Sequence, residues 1–232
     1  VSIMSICVFG DSVAKGVVFD EIKNKYTFLK ENFVNLVQSK TSVPFKNYAK
    51  FGCTVTKGSE ILEKQADRLS AYQYTILEFG GNDCDLNWAE VASQPGASHM
   101  AQVPIERFKE IYETMIEKTR GAGSHPILMS LPPLDSDRFF NWISKGLDRE
   151  KILQFLENDV DYIFRWHQQY NDMIFRLADA YQIPVIDIRT DFLKQKDYKS
   201  LLCVDGMHPN KEGHKLIASS LEKYVAALCQ RK

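Results

Sequence analysis

Short apolar runs alternate with amphipathic stretches along the chain, and each apolar run ends at a polar turn rich in glycine or proline. Residues 2–9 form the first run and read as a buried strand; Gly10 stops it, and Asp11, Ser12, Ala14, Lys15 and Gly16 follow. Phe28, Leu29, Phe33, Leu36 and Val37 recur at helical spacing, which predicts a helix over residues 20–40. A second strand is expected at 44–49, ending at Phe51-Gly52-Cys53-Thr54, and a helix at 58–70 through Ile61, Leu62, Ala66 and Leu69. Residues 72–79 make the third strand, cut off by Gly80-Gly81-Asn82-Asp83. The repeat of strand, turn and helix predicts an α/β fold, a parallel sheet with helices on both faces.

Two stretches break this rhythm. Residues 84–104 hold Trp88, Pro95, Gly96, Ser98 and His99 with only weak periodicity, and residues 134–146 hold Phe139, Phe140, Trp142 and Ile143, a dense apolar cluster for a loop. Long connections of this kind are usually functional. Between and beyond them the pattern predicts a helix at 105–120, a strand at 125–131 ended by Pro132-Pro133, one long helix or two with a bend at 148–181, and a fifth strand at 183–188. A tight polar turn at 203–210 precedes a terminal helix at 211–228, with Leu216, Ile217, Leu221, Val225 and Leu228 facing inward. Residues 1–232 read as one domain with loop insertions near 84–104 and 134–146.

Composition narrows the function classes. The 232 residues carry a net charge of −1, with acids and bases interspersed, so no basic face argues for nucleic acid. No apolar run approaches the roughly 18–20 residues that cross a bilayer, so no stable membrane insertion is expected. No signal peptide is visible at the first residues, although removal of a leader would look the same. Five cysteines (Cys7, Cys53, Cys84, Cys203 and Cys229) lie scattered without Cys-x-x-Cys spacing, which disfavours a disulfide framework and a zinc site and points to the cytoplasm. No group of His, Cys or carboxylates has metal-ligand spacing, and no glycine-rich phosphate loop occurs, so neither metal nor cofactor is expected.

Four polar turns stand at or after strand ends: Gly10-Asp11-Ser12, Gly52, Gly80-Gly81-Asn82-Asp83 and Asp205-Gly206-Met207-His208. Taken singly, Ser12 reads as an N-cap ahead of a nucleophile, the glycines as turn formers, Asn82 as a turn residue and His208 as a structural histidine. Together and in this order they resemble the SGNH hydrolases, the GDSL-type esterases and lipases. Gly10-Asp11-Ser12 matches the nucleophile block, with Val13 where many members have Leu, and Gly52, Gly80-Gly81-Asn82-Asp83 and Asp205-x-x-His208 match the other three. The resemblance implies a three-layer α/β/α sandwich around a flavodoxin-like sheet of about five parallel strands.

It also implies a chemistry that explains the spacing. A serine hydroxyl attacks an ester well only when a base accepts its proton. His208 would be that base and Asp205 the carboxylate that orients it, a Ser-His-Asp triad without the Gly-x-Ser-x-Gly elbow of an α/β-hydrolase. The oxyanion hole implied by the resemblance is the amides of Ser12 and Gly52 and the side chain of Asn82. Asp11 and Asp83 read as structural, and Cys53 and Cys84 as buried and inert. Trp88, His99 and Trp142 are candidate substrate contacts, since the aromatics of the two inserted stretches can stack a sugar, line an acyl pocket or simply pack the loops down. The expected partner is a small-molecule ester. A short-acyl (acetyl) esterase, possibly acting on carbohydrate, is the first reading, a lysophospholipase or thioesterase the second, and a non-catalytic flavodoxin-like binding domain the rival. The sequence does not give the oligomeric state.

Overall fold

The structure is a computed structural model and describes residues 4–231. Five parallel strands form the central sheet: β1 (Ile6–Gly10), β4 (Phe45–Asn47), β5 (Tyr74–Glu78), β6 (His125–Met129) and β7 (Val185–Ile186), in the order β4-β1-β5-β6-β7. Numbered within this sheet alone, that is the 2-1-3-4-5 order of flavodoxin-like folds. The first strand is thus shorter than residues 2–9; Ser2 and Ile3 of that expected run lie outside the described residues.

Strand residues alternate between two cores, as they must when both sheet faces are covered. Cys7, Phe9, Leu77 and Leu128 pack under α3 (Val55–Lys64), α5 (Ile105–Gly121) and α8 (Tyr162–Tyr181). Ile6, Val8, Ile76 and Ile127 pack under α2 (Phe33–Thr41), α9 (Ile188–Leu193) and α10 (Lys211–Gln230). Each fully buried side chain of this size adds about 1.5–3 kcal/mol. A third, smaller cluster joins α4 (Trp88–Ser93), α6 (Ser136–Ile143) and α7 (Arg149–Phe155) above the strand ends.

Several expectations need correction. Residues 20–40 are not one helix: Val17–Asp20 (β2) and Lys25–Phe28 (β3) pair as an antiparallel hairpin. Asp20 Oδ1 accepts the amides of Ile22 and Lys23, and Asn24 takes φ +50°, so a turn forms where the helix was expected. The helix starts only at Phe33, where Asn32 caps the amide of Asn35. Residues 134–146 are not irregular, because Asp135 caps α6, and the 84–104 stretch contains α4, capped by Asn87. The expected fifth strand at 183–188 keeps only two residues because Asp187 caps α9, whereas 148–181 takes the two-helix form of its expectation, divided at Glu157 and Asn158, both left-handed (φ +55° and +60°).

Candidate active site

Ser12 opens the four-residue helix α1 (Ser12–Lys15) at the end of β1. The N-cap is Asp11, whose Oδ1 accepts the Val13 amide at 2.9 Å, so the Ser12 hydroxyl is not used as a cap. From β5, Glu78 Oε1 accepts the amides of Ala14 (2.9 Å) and Asp11 (3.3 Å), which pins the turn from below. Burial and the neighbouring Asp11 carboxylate push the Glu78 carboxyl well above the usual range; burial raises Asp11 as well, although the Glu78 hydrogen bond works against the rise.

The 203–210 turn closes through the Leu202–Pro209 bridge and the Cys203 amide bond to the His208 carbonyl at 2.7 Å. Asp205 Oδ1 accepts the amides of Met207 (3.0 Å) and His208 (3.1 Å), leaving Oδ2 for His208 Nδ1 at 2.6 Å. On the other side of the ring, Nε2 lies 2.9 Å from Ser12 Oγ. Burial pushes the Asp205 carboxyl up, but the hydrogen bond and charge of His208 outweigh it and hold the group below the ordinary value. An ionised Asp205 makes Nδ1 the donor and leaves Nε2 free to accept from Ser12.

Sequence reading missed two groups around this relay. The Tyr26 hydroxyl, on β3, donates to Asp205 Oδ2 at 2.9 Å, and its ring meets His208 edge-on at 5.2 Å. Phe51 lies almost parallel to the imidazole, at 6.4 Å between centroids and 7° between planes. Trp142 packs against Tyr26 and Phe19 with Lys145 over its face, outside the cavity wall.

Ser12, Gly52, Asn82 and His208 line one cavity of about 220 Å³. The amides of Ser12 and Gly52 have no acceptor among the described residues. Gly52 needs its glycine for φ +72°, since an added Cβ would meet nothing within 4 Å. Asn82 Nδ2 is oriented by long contacts to Cys53 O (3.3 Å) and Asp11 Oδ2 (3.4 Å). Much of the remaining wall is apolar: Leu86 and Trp88 from one inserted stretch, Leu134 and Phe139 from the other, Leu156 beyond α7, and Ile163 and Trp166 of α8. Trp88 is held in the wall by its Nε1 bond to Asp85 (3.0 Å). His99 stands one layer out, bonded to the Gln94 carbonyl and edge-on to Phe155.

Asp83 ties the Asn82 turn to α3 by accepting the Val55 amide at 2.8 Å, and burial pushes its carboxyl up to about 7. Burial likewise raises the thiols of Cys53, to about 12, and Cys84, which leaves both unreactive. Among the described residues no group of His, Cys, Asp and Glu could hold a metal ion, and no helix is long and apolar enough to cross a membrane.

Residues 8–216 match the GDSL-like lipase/acylhydrolase family. The GDSL esterase/lipase CPRD49 of Arabidopsis thaliana is 23% identical over 181 residues, which is 75% of this chain; the match spans 63% of that relative's length. A lipase/acylhydrolase from Enterococcus faecalis has a similar fold, with a TM-score of 0.66, 21% identity and coverage of 96% of this chain and 95% of that one. So does an acetyl-xylooligosaccharide esterase from Geobacillus Stearmophilus, with a TM-score of 0.64, 16% identity and coverage of 96% and 95%.

Proposed function

The chain belongs to the GDSL-like lipase/acylhydrolase family, and from that premise we propose that it hydrolyses carboxylic esters through an acyl-enzyme on Ser12. The observation that carries this reading is the relay from Ser12 Oγ through His208 to Asp205, with contacts of 2.9 and 2.6 Å, in the wall of a largely apolar cavity. As Ser12 attacks the carbonyl carbon, its proton passes to His208 Nε2, and Asp205 stabilises the imidazolium. The amides of Ser12 and Gly52 and the side chain of Asn82 receive the oxyanion; one such donor is worth about 3 kcal/mol in the transition state. Collapse breaks the bond to the leaving group, which takes the proton back from His208. Water, deprotonated by the same base, then releases the acid. The chemistry uses no cofactor.

The cavity wall favours a longer apolar acyl group over the acetyl group of the first sequence reading. An acetyl group would fill only a small part of the cavity of about 220 Å³ and could not touch Leu86, Leu134, Leu156 and Ile163 together. The test is a series of p-nitrophenyl esters from acetyl to palmitoyl, run beside acetylated sugars and with Ser12→Ala. Turnover and fluorophosphonate labelling are expected to vanish in the variant, with kcat/KM highest beyond acetyl. A maximum at acetyl would restore the short-acyl reading, and turnover surviving in the variant would refute the mechanism.

A further inference from the structure

One polar side chain in the cavity wall takes no part in the chemistry above. His167, on α8, is buried and lines the same cavity as Ser12. Its Nδ1 lies 3.0 Å from Nη1 of Arg189, on α9. A guanidinium donates and never accepts, so Nδ1 is the bare, accepting nitrogen and the ring proton sits on Nε2. Burial, and then the Arg189 charge, hold the His167 pKa well below its ordinary value, so the ring is neutral and keeps this one tautomer. Arg189 is buried too, and its contacts are neutral: Nε donates to Gln168 Oε1 at 2.9 Å, Nη1 reaches the Leu131 carbonyl at 3.4 Å, and the guanidinium stands 4.8 Å from the Phe164 ring. Its Nη2 has no partner among the described residues. A buried cation without a counter-ion in contact is costly, and here it fixes which histidine nitrogen faces away from it.

Away from the oxyanion site and the relay, the other side-chain nitrogen donors of this wall are spent. Trp88 Nε1 donates to Asp85 at 3.0 Å, and Trp166 Nε1 donates to the Cys84 carbonyl at 2.7 Å. His167 Nε2 has no acceptor within hydrogen-bond reach among the described residues, and unlike Arg189 Nη2 it is not sealed from open space. For a ring buried in this wall, that space is the cavity. A chain that is apolar throughout would strip water from the N–H and offer nothing in return, which is how a site rejects an analogue that lacks one acceptor. Asp85 lines the same cavity; burial pushes its pKa up to about 6, so it is ionised at neutral pH and repels an anion. We propose that His167 is a specificity-determining residue that donates from Nε2 to a neutral oxygen on the acyl chain, so that the preferred acyl groups are oxo- or hydroxyalkanoyl rather than plain alkanoyl. The inference rests on the reading above, in which the cavity takes the acyl chain.

The test sets p-nitrophenyl octanoate against its 4-, 5-, 6- and 7-oxo derivatives in the parent protein, His167→Phe and His167→Gln. The readout is kcat/KM for each oxo ester divided by that for the plain ester of the same protein, so loss of folded enzyme cancels. In the parent the ratio is expected to exceed one at one position or two adjacent ones and to fall below one elsewhere. At the favoured position His167→Phe, which removes the donor, is expected to lower the ratio about tenfold or more. His167→Gln, which can turn Oε1 to Arg189 and Nε2 to the cavity, is expected to restore most of it. A nitrogen-15 spectrum of the parent needs no variant: the His167 ring proton is expected on Nε2, and the other tautomer would overturn the inference. So would ratios at or below one at every position, or a favoured ratio that survives in His167→Phe. In each of those cases Ser12-dependent turnover of the plain ester keeps the esterase reading intact, whereas its absence on every ester would sink both.

Discussion

Asp205 Oδ2 accepts two donors at once, the His208 ring at 2.6 Å and the Tyr26 hydroxyl at 2.9 Å, so the phenol competes with the imidazolium for the same charge. Burial, with Asp205 beside it, raises the Tyr26 pKa, so the hydroxyl stays protonated and remains a donor. Tyr26→Phe keeps the ring against His208 and removes only this bond. Asp205 then holds the imidazolium proton more strongly, and the acid limb of the kcat/KM profile is expected to move to higher pH. The freed carboxylate also stabilises the imidazolium that forms as Ser12 attacks, so kcat/KM above that limb is expected to hold or rise, with KM little changed. A lower rate with an unmoved pH profile would reduce Tyr26 to a packing residue. Ser12, Gly52, Asn82, Asp205 and His208 were legible in the sequence because each lies in a short turn whose spacing is local. Tyr26 was not, because it reaches Asp205 from a sequence distance of 179 residues. Glu78 left a readable mark, a lone acid at the end of an apolar strand run, where the buried amides of the Ser12 turn require an acceptor.

Among the elements, the hairpin and α6 were the least legible and also the ones that close the site. The helical spacing from Phe28 to Val37 was genuine only from Phe33 onward; the hairpin is favoured instead by the Asp20 turn and by strand pairing that the one-dimensional pattern does not show. The inserted helix α6 carries a readable Asp135 cap but has only eight residues, too few for periodicity to stand out. Its N-terminus supports the 203–210 turn, since the Asp135 amide donates to Gly206 O at 2.9 Å. The two backbones are so close that a Cβ on Gly206, itself at φ +71°, would lie 2.6 Å from the Phe139 amide and 2.7 Å from Asp135 O. Gly52 has a similar φ but open space around it. Gly206→Ala is therefore expected to cost about 3 kcal/mol or more, and to lower kcat by shifting Asp205 and His208, because backbone cannot yield as a side chain can. Gly52→Ala carries only the left-handed strain, about 1–2 kcal/mol. Urea unfolding of the two variants separates the cases; equal losses would mean that the α6 contact places no constraint on the turn.

At the scale of the whole molecule, buried titratable groups pull the pH dependence of stability in opposite directions. Burial pushes Asp83 up to about 7 and Asp85 up to about 6, and raises Asp11 and Glu78 as well. Between the ordinary carboxylate range and these values the folded chain binds more protons than the unfolded one, so these acids make stability fall as pH rises. His214 accepts the Phe33 amide at 3.1 Å, and burial pushes its pKa down to about 4; burial lowers His167 in the same sense. Between pH 4 and the unfolded value near 6.5, the unfolded chain binds the extra proton, so the histidines make stability rise with pH. The two sets overlap from about pH 4 to 7 and offset each other there, and single substitutions expose each half. Asp83→Asn keeps an acceptor for the Val55 amide and removes one falling contribution. Its stability relative to the parent protein is expected to improve by roughly 2–3 kcal/mol from pH 5 to pH 8. His214→Gln removes a rising contribution, so its relative stability is expected to improve as pH falls from 7 to 4. Urea midpoints at unit pH steps give both slopes. A flat Asp83→Asn difference would mean that Asp83 is ionised in the folded protein at pH 5, and that the charge of a buried carboxylate is already accommodated between the Asn82 turn and α3.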